Sequence, residues 1–395
     1  MAFELITTKL SDIQKELKDA NLDGWLLYDF RARNTVSGKL TGLGNLTRRY
    51  FVYVPASGEP HAVTHKIEAG PWAEWTLPRT EYSAWRELDT ALRQVLGNAK
   101  RVAMEISTND AVPAMDLVPA GVVEMIHALG PQVVSSGDLV SRFYSAWTAE
   151  DLAAHRRAST ILMQAAHAAF QRLASDFSSG HAVREGDVHA WIMADLVVRG
   201  ASAGADCHIA GGANAADPHY NPSGMGAEFK RDEVVLIDLW TKESDDSVYA
   251  DQTWMGYLGS SVPDRVAKMF EIVCGGRDAA VQFLKDGHAA GRRIMGGEVD
   301  DVTRNYITDR GYGDAFIHRT GHSIDQAIHG MGPNIDNLET NETRILRPGV
   351  GFSIEPGIYL RGDVGMRSEI NVFMGHDGPE VTTPSMQHSM LALLP

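Results

Sequence analysis

One carboxylate inside an apolar run limits how this chain can fold. In the stretch VVLIDLW, Asp238 follows four aliphatic residues and precedes Leu239 and Trp240. A carboxylate inside a buried strand is costly unless it has a partner. The longer run VVLIDLWTKESDDSVYADQTWMGYL, residues 234–258, has a polar centre between two apolar segments, which predicts a hairpin.

The second half of this hairpin contains Asp251. A turn centred between Ser244 and Asp245 would place Asp251 directly opposite Asp238, with Cβ atoms about 4.5–5.5 Å apart. Two like charges at that distance in a buried sheet are unfavourable, and a cation between them would remove the repulsion.

A second pair of acids repeats the pattern. Residues 349–374 have the pattern of a strand, an Arg-Gly-Asp turn centred on Gly362, and another strand. In that register Glu355 would face Glu369. Two facing acid pairs on two hairpins predict a cation site.

Histidines cluster in the stretch IHRTGHSIDQAIHG, which contains His318, His322 and His329. The first two have the spacing of paired zinc ligands on a helix, but Gly321 lies between them and argues against a regular helix. Another histidine, His219 in ADPHYNPSG, lies on a loop that two prolines make rigid and extended.

The length of 395 residues predicts two domains. The first part alternates helix and strand, as an α/β domain does. We place the boundary near Trp147, which gives domains at 1–150 and 151–395, and we predict helices over 150–177, 185–199 and 262–286.

The net charge of −15 argues against binding to nucleic acid or to an anionic membrane surface. The N-terminal stretch has no apolar core and no small-residue cleavage motif, so it does not resemble a signal peptide. No apolar run approaches the length that spans a bilayer. We therefore expect a cytoplasmic protein without a membrane partner.

The segments that contain these acids and histidines resemble those of the pita-bread metallopeptidases, family M24, which includes prolidase (Xaa-Pro dipeptidase), aminopeptidase P and methionine aminopeptidase. ADQTW, HRTGHSIDQAIHG, RPGVGFSIEPGIYL and MRSEINV each resemble a family motif. The resemblance covers 151–395. It implies an α/β N-terminal creatinase-like domain followed by an α+β pita-bread catalytic domain. The N-terminal extension favours prolidase or aminopeptidase P.

The resemblance also implies two divalent metal ions. Oxygen ligands with one imidazole suit Mn²⁺ best, and Co²⁺ or Zn²⁺ as alternatives. The implied ligands are Asp238, Asp251, His322, Glu355 and Glu369.

The implied activity is hydrolysis of the Xaa-Pro bond in dipeptides by a homodimer. Glu355 would also transfer the proton to the proline nitrogen, and His219 and His329 would donate hydrogen bonds to the carbonyl oxygen. At the substrate site, Arg367 would orient the ligand carboxylates and His318 would support the pocket.

The sequence departs from the family at two places. The two aspartates lie thirteen residues apart where eleven is expected. Both separations are odd, so the same two residues can still face each other across a longer turn. Asn341 stands where prolidases usually have an arginine for the substrate carboxylate, and Arg344 or Arg347 could substitute for it. We expect Arg48 or Arg49 to bind that carboxylate instead.

Three alternatives stay open: an aminopeptidase P that cuts longer Xaa-Pro peptides, a metal-free creatinase-type hydrolase, and a non-enzymatic pita-bread binding protein. The filled ligand positions disfavour the last two.

Overall fold

The computed structural model describes residues 2–222 and 224–395 and divides into two compact units, Met1–Tyr144 and Ser145–Pro395. The N-terminal unit is a six-stranded mixed sheet with helices, in the strand order β4-β3-β2-β1-β5-β6. Its elements are α1 (Glu4–Thr8), α2 (Leu10–Asp19), β1 (Gly24–Asp29), α3 (Thr35–Thr41), β2 (Tyr50–Pro55), β3 (His61–His65), β4 (Arg79–Tyr82), α4 (Trp85–Leu96), β5 (Arg101–Met104), α5 (Ala120–Leu129), β6 (Gln132–Ser135) and α6 (Gly137–Phe143). Strand β1 is central and buried along its whole length, as the apolar run GWLLYD predicts.

In its described residues, the C-terminal unit contains long helices and three sheets. Its elements are α7 (Ala149–Ser178), α8 (Glu185–Val198), β7 (Ala203–Gly211), β8 (Val234–Lys242), β9 (Ala250–Tyr257), α9 (Asp264–Ala289), α10 (Gly296–Thr308), β10 (Ser323–Ile324), β11 (Gly351–Ile354), β12 (Gly357–Leu360), β13 (Val364–Arg367), β14 (Ile370–Gly375), β15 (Gly378–Val381) and β16 (Leu391–Ala392). The sheets have the orders β16-β9-β8-β7, β10-β11-β14-β15 and β12-β13.

The three predicted helices of this unit are confirmed as α7, α8 and α9, within a few residues at each end. Helix α7 begins with a reciprocal cap, in which Asp151 N donates to Thr148 Oγ1 and Thr148 N donates to Asp151 Oδ2. None of the described helices is long and apolar enough to cross a membrane.

Alternation along β8 determines where Asp238 points. Val235, Ile237 and Leu239 pack with α7 and α8 in one apolar core. Val234 and Leu236 belong to a second core, with α9, on the opposite face. Asp238 has the parity of this second face, so its side chain projects where the second core ends.

Candidate metal centre

A cavity of about 570 Å³ lies in the C-terminal unit. Its walls include every site residue that the sequence predicts in this part of the chain: Asp238, Asp251, His322, Glu355, Glu369, His219, His318, His329 and Arg367. The five predicted ligands are all buried. The structure therefore brings together acids and histidines that lie up to 150 residues apart in the sequence (219 to 369).

The first hairpin forms, but its predicted register is wrong. Asp238 lies opposite Thr253, and Asp251 lies opposite Trp240. The two acids are thus diagonal neighbours on the same face instead of a directly opposed pair. The physical reason is the connection: the seven residues 243–249 form an irregular loop whose centre is one residue later than the predicted turn.

The second hairpin keeps the predicted register. Ile354 pairs with Ile370 on one side and Gly357 pairs with Arg367 on the other, and both pairs fit a turn centred on Gly362. Glu355 and Glu369 lie at the interruption between these two ladders, outside the strands. They occupy facing positions where the backbone is not paired in a sheet.

His322 comes from an irregular segment, as Gly321 predicted. Gly321 N donates to Ile335 O, and Ile335 N donates back to Gly321 O. A Cβ on Gly321 would lie 2.0 Å from Ser353 O, so only glycine fits this close approach. The approach lets His322 N donate to Ser353 Oγ at 2.9 Å, which places His322 beside the second hairpin.

Three groups converge most closely. Ligand atoms of Asp251, His322 and Glu369 all lie within 4.8 Å of one another. His322 Nε2 is 3.5 Å from Asp251 Oδ2 and 3.4 Å from Glu355 Oε1. Within the described residues, the buried Oδ1 of Asp251 has no hydrogen-bond partner. A buried carboxylate oxygen without a donor is a group that a cation would satisfy.

The orientation of His322 supports the same conclusion. Its Nδ1 is 3.1 Å from Ser323 O, and because a carbonyl only accepts, Nδ1 must be the protonated nitrogen. The lone pair of Nε2 then points at carboxylates. Burial lowers the pKa of His322, so its neutral form dominates at neutral pH. A cation would turn this repulsive arrangement into coordination.

The acids differ in how their environment affects ionisation. Burial and then the neighbouring acids raise the pKa of both Asp251 and Glu369 well above the usual range. Burial alone would also raise the pKa of Glu355, but the charge of His322 in its protonated form and the charge of Arg367 outweigh it and lower that pKa. Glu355 therefore stays ionised more readily than Asp251 and Glu369.

Arg367 and Thr253 connect the two hairpins. Arg367 Nη2 forms an ion pair with Asp238 Oδ2, and its Nε donates to Thr253 Oγ1 at 2.8 Å. Thr253 Oγ1 lies 2.8 Å from Glu369 Oε2 and 3.2 Å from Asp238 Oδ1. Thr253 was not predicted from the sequence, because a threonine in a strand is ordinary.

The other histidines line the cavity in different ways. His318 uses both ring nitrogens within the protein, since Nδ1 donates to Arg319 O and Nε2 accepts from Tyr359 OH. His329 lies edge to face with His322, at a ring separation of 4.4 Å. Although its side chain is exposed at the cavity surface, desolvation by the walls, and then repulsion from His322 when that ring is protonated, lower its pKa to about 4. His219 is exposed on the loop between β7 and β8.

Among the arginines, Arg319 also lines the cavity and was not predicted from the sequence. In residues 2–222 and 224–395 its guanidinium forms no ion pair, whereas Arg344 is buried and paired with Glu342. The expectation that Arg344 could substitute for the missing carboxylate-binding arginine is therefore wrong. In the N-terminal unit, Arg48 is exposed and donates to Thr47, and Arg49 is half-buried.

Comparison with known proteins finds similarity to metallopeptidases and dipeptidases. The model of metallopeptidase family M24 matches residues 153–376. An Xaa-Pro dipeptidase of Lactobacillus delbrueckii subsp. lactis is 35% identical over 173 residues, which are 44% of this chain and 43% of that protein. A probable dipeptidase, PepE, of Mycobacterium bovis is 26% identical over 345 residues, 86% of this chain and 84% of that protein.

The fold agrees over the whole chain with the crystal structure of dipeptidase PepE from Mycobacterium ulcerans. The TM-score is 0.73 at 21% identity, and the match covers 100% of both chains. The predicted fold class, an α/β N-terminal domain followed by a pita-bread domain, is confirmed. More than half of the sequence matches the family model, so the chain belongs to metallopeptidase family M24.

Proposed function

We propose that this protein is a metal-dependent peptidase that hydrolyses the Xaa-Pro bond, with dipeptides as its preferred substrates. The observation that carries the proposal is the unpartnered, buried Oδ1 of Asp251 among converging ligand atoms of Asp251, His322 and Glu369. The relative named Xaa-Pro dipeptidase supports the bond type.

Two divalent ions would be held by Asp238, Asp251, His322, Glu355 and Glu369. This set of carboxylate oxygens with one imidazole suits Mn²⁺, and also Co²⁺ or Zn²⁺. When bound, such ions lower the pKa of water and polarise the scissile carbonyl.

The chain's own groups would move the proton and stabilise the developing charge. Glu355, whose pKa is lowered, accepts the proton of the attacking water and passes it to the departing proline nitrogen. His329, with a pKa of about 4, is neutral at pH 7 and keeps one N–H for the carbonyl oxygen. His219 donates to the same oxygen from the loop between β7 and β8. His318, whose nitrogens are both engaged, supports the wall.

Arg319 is our choice for the substrate carboxylate. Of the two arginines in the cavity wall, Arg367 is paired with Asp238, and Arg319 has no ion pair with a described residue. A guanidinium binds a carboxylate through two parallel hydrogen bonds, which favours a free C-terminus directly after proline. Arg48 and Arg49 remain the alternative predicted from the sequence.

The first experiment measures metal content and hydrolysis of Xaa-Pro and Xaa-Pro-Yaa peptides before and after EDTA. We expect activity that EDTA abolishes and Mn²⁺ restores, with a preference for the dipeptide. A preference for the longer peptide would indicate an aminopeptidase P instead. A protein that binds no metal and cuts neither peptide would contradict the peptidase proposal.

The second experiment compares Arg319→Met, Arg48→Ala and Arg49→Ala. Loss of a charged hydrogen-bond partner should raise KM for the dipeptide roughly tenfold to 100-fold in Arg319→Met and spare the longer peptide. Arg361→Met removes an exposed arginine outside the cavity and serves as the control. A selective KM increase in Arg48→Ala or Arg49→Ala would move the carboxylate partner to the N-terminal unit.

A further inference from the structure

Glu185, the first residue of α8, is a fully buried carboxylate that lies outside the cavity wall. Its oxygens accept four hydrogen bonds: from Gly211 N at 3.0 Å, Asn214 Nδ2 at 2.9 Å, Tyr220 OH at 2.9 Å and Ala227 N at 2.7 Å. A buried carboxylate requires such donors. All four donors come from residues 211–227, at the end of β7 and in the connection to β8, so one side chain organises this connection.

The same connection contains His219. Its neighbour Tyr220 places its hydroxyl between two partners, since it donates to Glu185 Oε2 and accepts from Asn214 Nδ2. His219 is itself exposed, and its backbone N donates to Asp217 Oδ1 at 3.2 Å. Within the described part of the chain, the His219 ring makes no hydrogen bond. Its position in the cavity wall therefore depends on the backbone that Tyr220 and Glu185 hold.

The far end of the connection lies directly against Glu185. Gly226 has φ +66°, and a Cβ there would lie 2.4 Å from Glu185 Oε2. Glu185 N donates to Ala227 O, and Gly186 N donates to Met225 O, both at 3.0 Å. The carboxylate is thus enclosed by both ends and the middle of one loop.

We propose that Glu185 is a positioning residue, which fixes His219 in the cavity wall by holding Tyr220 and both ends of the loop. The catalytic consequence rests on the function proposed above. A hydrogen-bond donor acts on a developing charge only at a defined distance, and a displacement of about 1 Å can reduce a rate about 100-fold.

The central test is a double-mutant cycle between Glu185→Gln and His219→Ala. The amide of glutamine places N–H groups where the loop also presents donors, so at least one of the four hydrogen bonds is lost. Glu185→Gln should lower kcat roughly tenfold to 100-fold with KM nearly unchanged. In the His219→Ala background, the same substitution should change kcat less than about threefold, because the group it positions is gone.

Two further variants complete the design. Tyr220→Phe removes only the hydroxyl of a half-buried residue and should give a smaller loss with the same dependence on His219. Glu298→Gln removes a carboxylate near the start of α10, where it accepts from Met295 N outside the cavity, and should leave kcat unchanged. An equal fold-loss from Glu185→Gln in both backgrounds would overturn the proposal.

An independent measurement does not require activity. Hydrogen exchange followed by mass spectrometry should show faster exchange of the amides of residues 211–222 in Glu185→Gln than in the wild type, and no change there in Glu298→Gln. Unchanged exchange in Glu185→Gln would refute the positioning role. A wild-type protein without Xaa-Pro hydrolysis would contradict the proposed function alone, since the exchange comparison still decides the role of Glu185.

Discussion

The β8–β9 hairpin holds Asp238 and Asp251 inside one unbroken ladder, whereas Glu355 and Glu369 lie at the gap between two ladders. In the first hairpin the residues of β8 and β9 on both sides of the acids stay in one continuous register, and Asp251 N donates out of it to Asn371 Oδ1 at 2.9 Å. In the second, Glu355 N donates to Thr320 O and Ser353 N donates to His322 O, outside their own hairpin. The regular hairpin supplies a rigid wall, and the interrupted hairpin binds the segment that carries His322.

This difference in regularity means that the two hairpins contribute to the site in different ways. Regular pairing fixes the face of the sheet on which the aspartates lie. A shift of one residue would move every apolar side chain of the strand to the opposite face. The interruption frees backbone groups for a third segment, and that segment supplies the imidazole. Both hairpins should therefore be indispensable for metal binding, although they differ in regularity.

The largest expected effect comes from removing one acid from each hairpin. Asp251→Asn and Glu369→Gln should each lower kcat/KM by about three orders of magnitude or more and reduce bound metal, since both residues contribute to the same cluster. Elemental analysis and Xaa-Pro hydrolysis measure the two effects. Glu380→Gln, on β15 and outside the cavity, is the control. If only one of the two variants loses metal, the hairpins do not share one centre.

A second prediction concerns His155, which joins the two hairpins. Its ring is 2.7 Å from Tyr249 O, before β9, and 2.7 Å from Thr382 Oγ1, and Thr382 N donates to Asn371 O on β14. Burial lowers the pKa of His155 to about 4 from an ordinary value of 6.5. The unfolded chain therefore binds this proton more readily, and stability is lost as pH falls from 6.5 towards 4.

For this group the free energy of unfolding should fall by about 2 kcal/mol between pH 7 and pH 5. His155→Gln removes the titrating group, so the variant should be less stable at pH 7 but lose less stability on acidification. Urea unfolding at the two pH values measures this difference. An identical loss in wild type and variant would mean that His155 does not couple the hairpins to pH.

How far the sequence predicts the site depends on the turns. The connection in the second hairpin is three residues, 361–363, with Gly362 at φ +77°, so its register follows from the turn. The first connection has seven residues, and its centre cannot be predicted from residue types. Alternation still predicted that Asp238 and Asp251 share a face, because burial of the apolar residues sets parity.

Residues that act through contacts are harder to predict. Thr253 and Glu185 have ordinary residue types for a strand and a helix start, and their roles appear only in the folded arrangement. Arg319 lies near a predicted ligand in the sequence, but its place in the cavity wall is seen only in the folded arrangement. Asp238 could be predicted as a site residue because a carboxylate inside an apolar run requires a partner, whereas the choice of His322 among the three histidines rested on the resemblance to the family.

A third prediction tests the hydroxyl that links the hairpins. Thr253→Val keeps the shape of the side chain but removes the contacts of Oγ1 with Asp238, Glu369 and Arg367. Residues that orient metal ligands typically contribute tenfold or more, so we expect about a tenfold loss of kcat/KM and weaker metal binding. Thr241→Val, a buried threonine on β8 that donates to Ala201 O, is the matched control. Equal effects of the two substitutions would indicate a general loss of sheet stability instead.

The smallest expected effect is a difference in stability between substitutions in the two hairpin connections. Gly362 has φ +77°, and the space that a Cβ would occupy there is open, so Gly362→Ala adds backbone strain without a clash. We expect a loss of about 1 kcal/mol in the free energy of unfolding. Asp246→Ala, in the exposed seven-residue connection of the first hairpin, should change it by less than about 0.5 kcal/mol. Denaturant titration of both variants measures the difference in the free energy of unfolding.

Because the short turn sets the register that brings Glu355 to face Glu369, Gly362→Ala should also weaken metal binding slightly, and Asp246→Ala should not. A larger cost at Asp246 than at Gly362 would mean that the long connection, and not the apolar alternation, determines the register of the first hairpin.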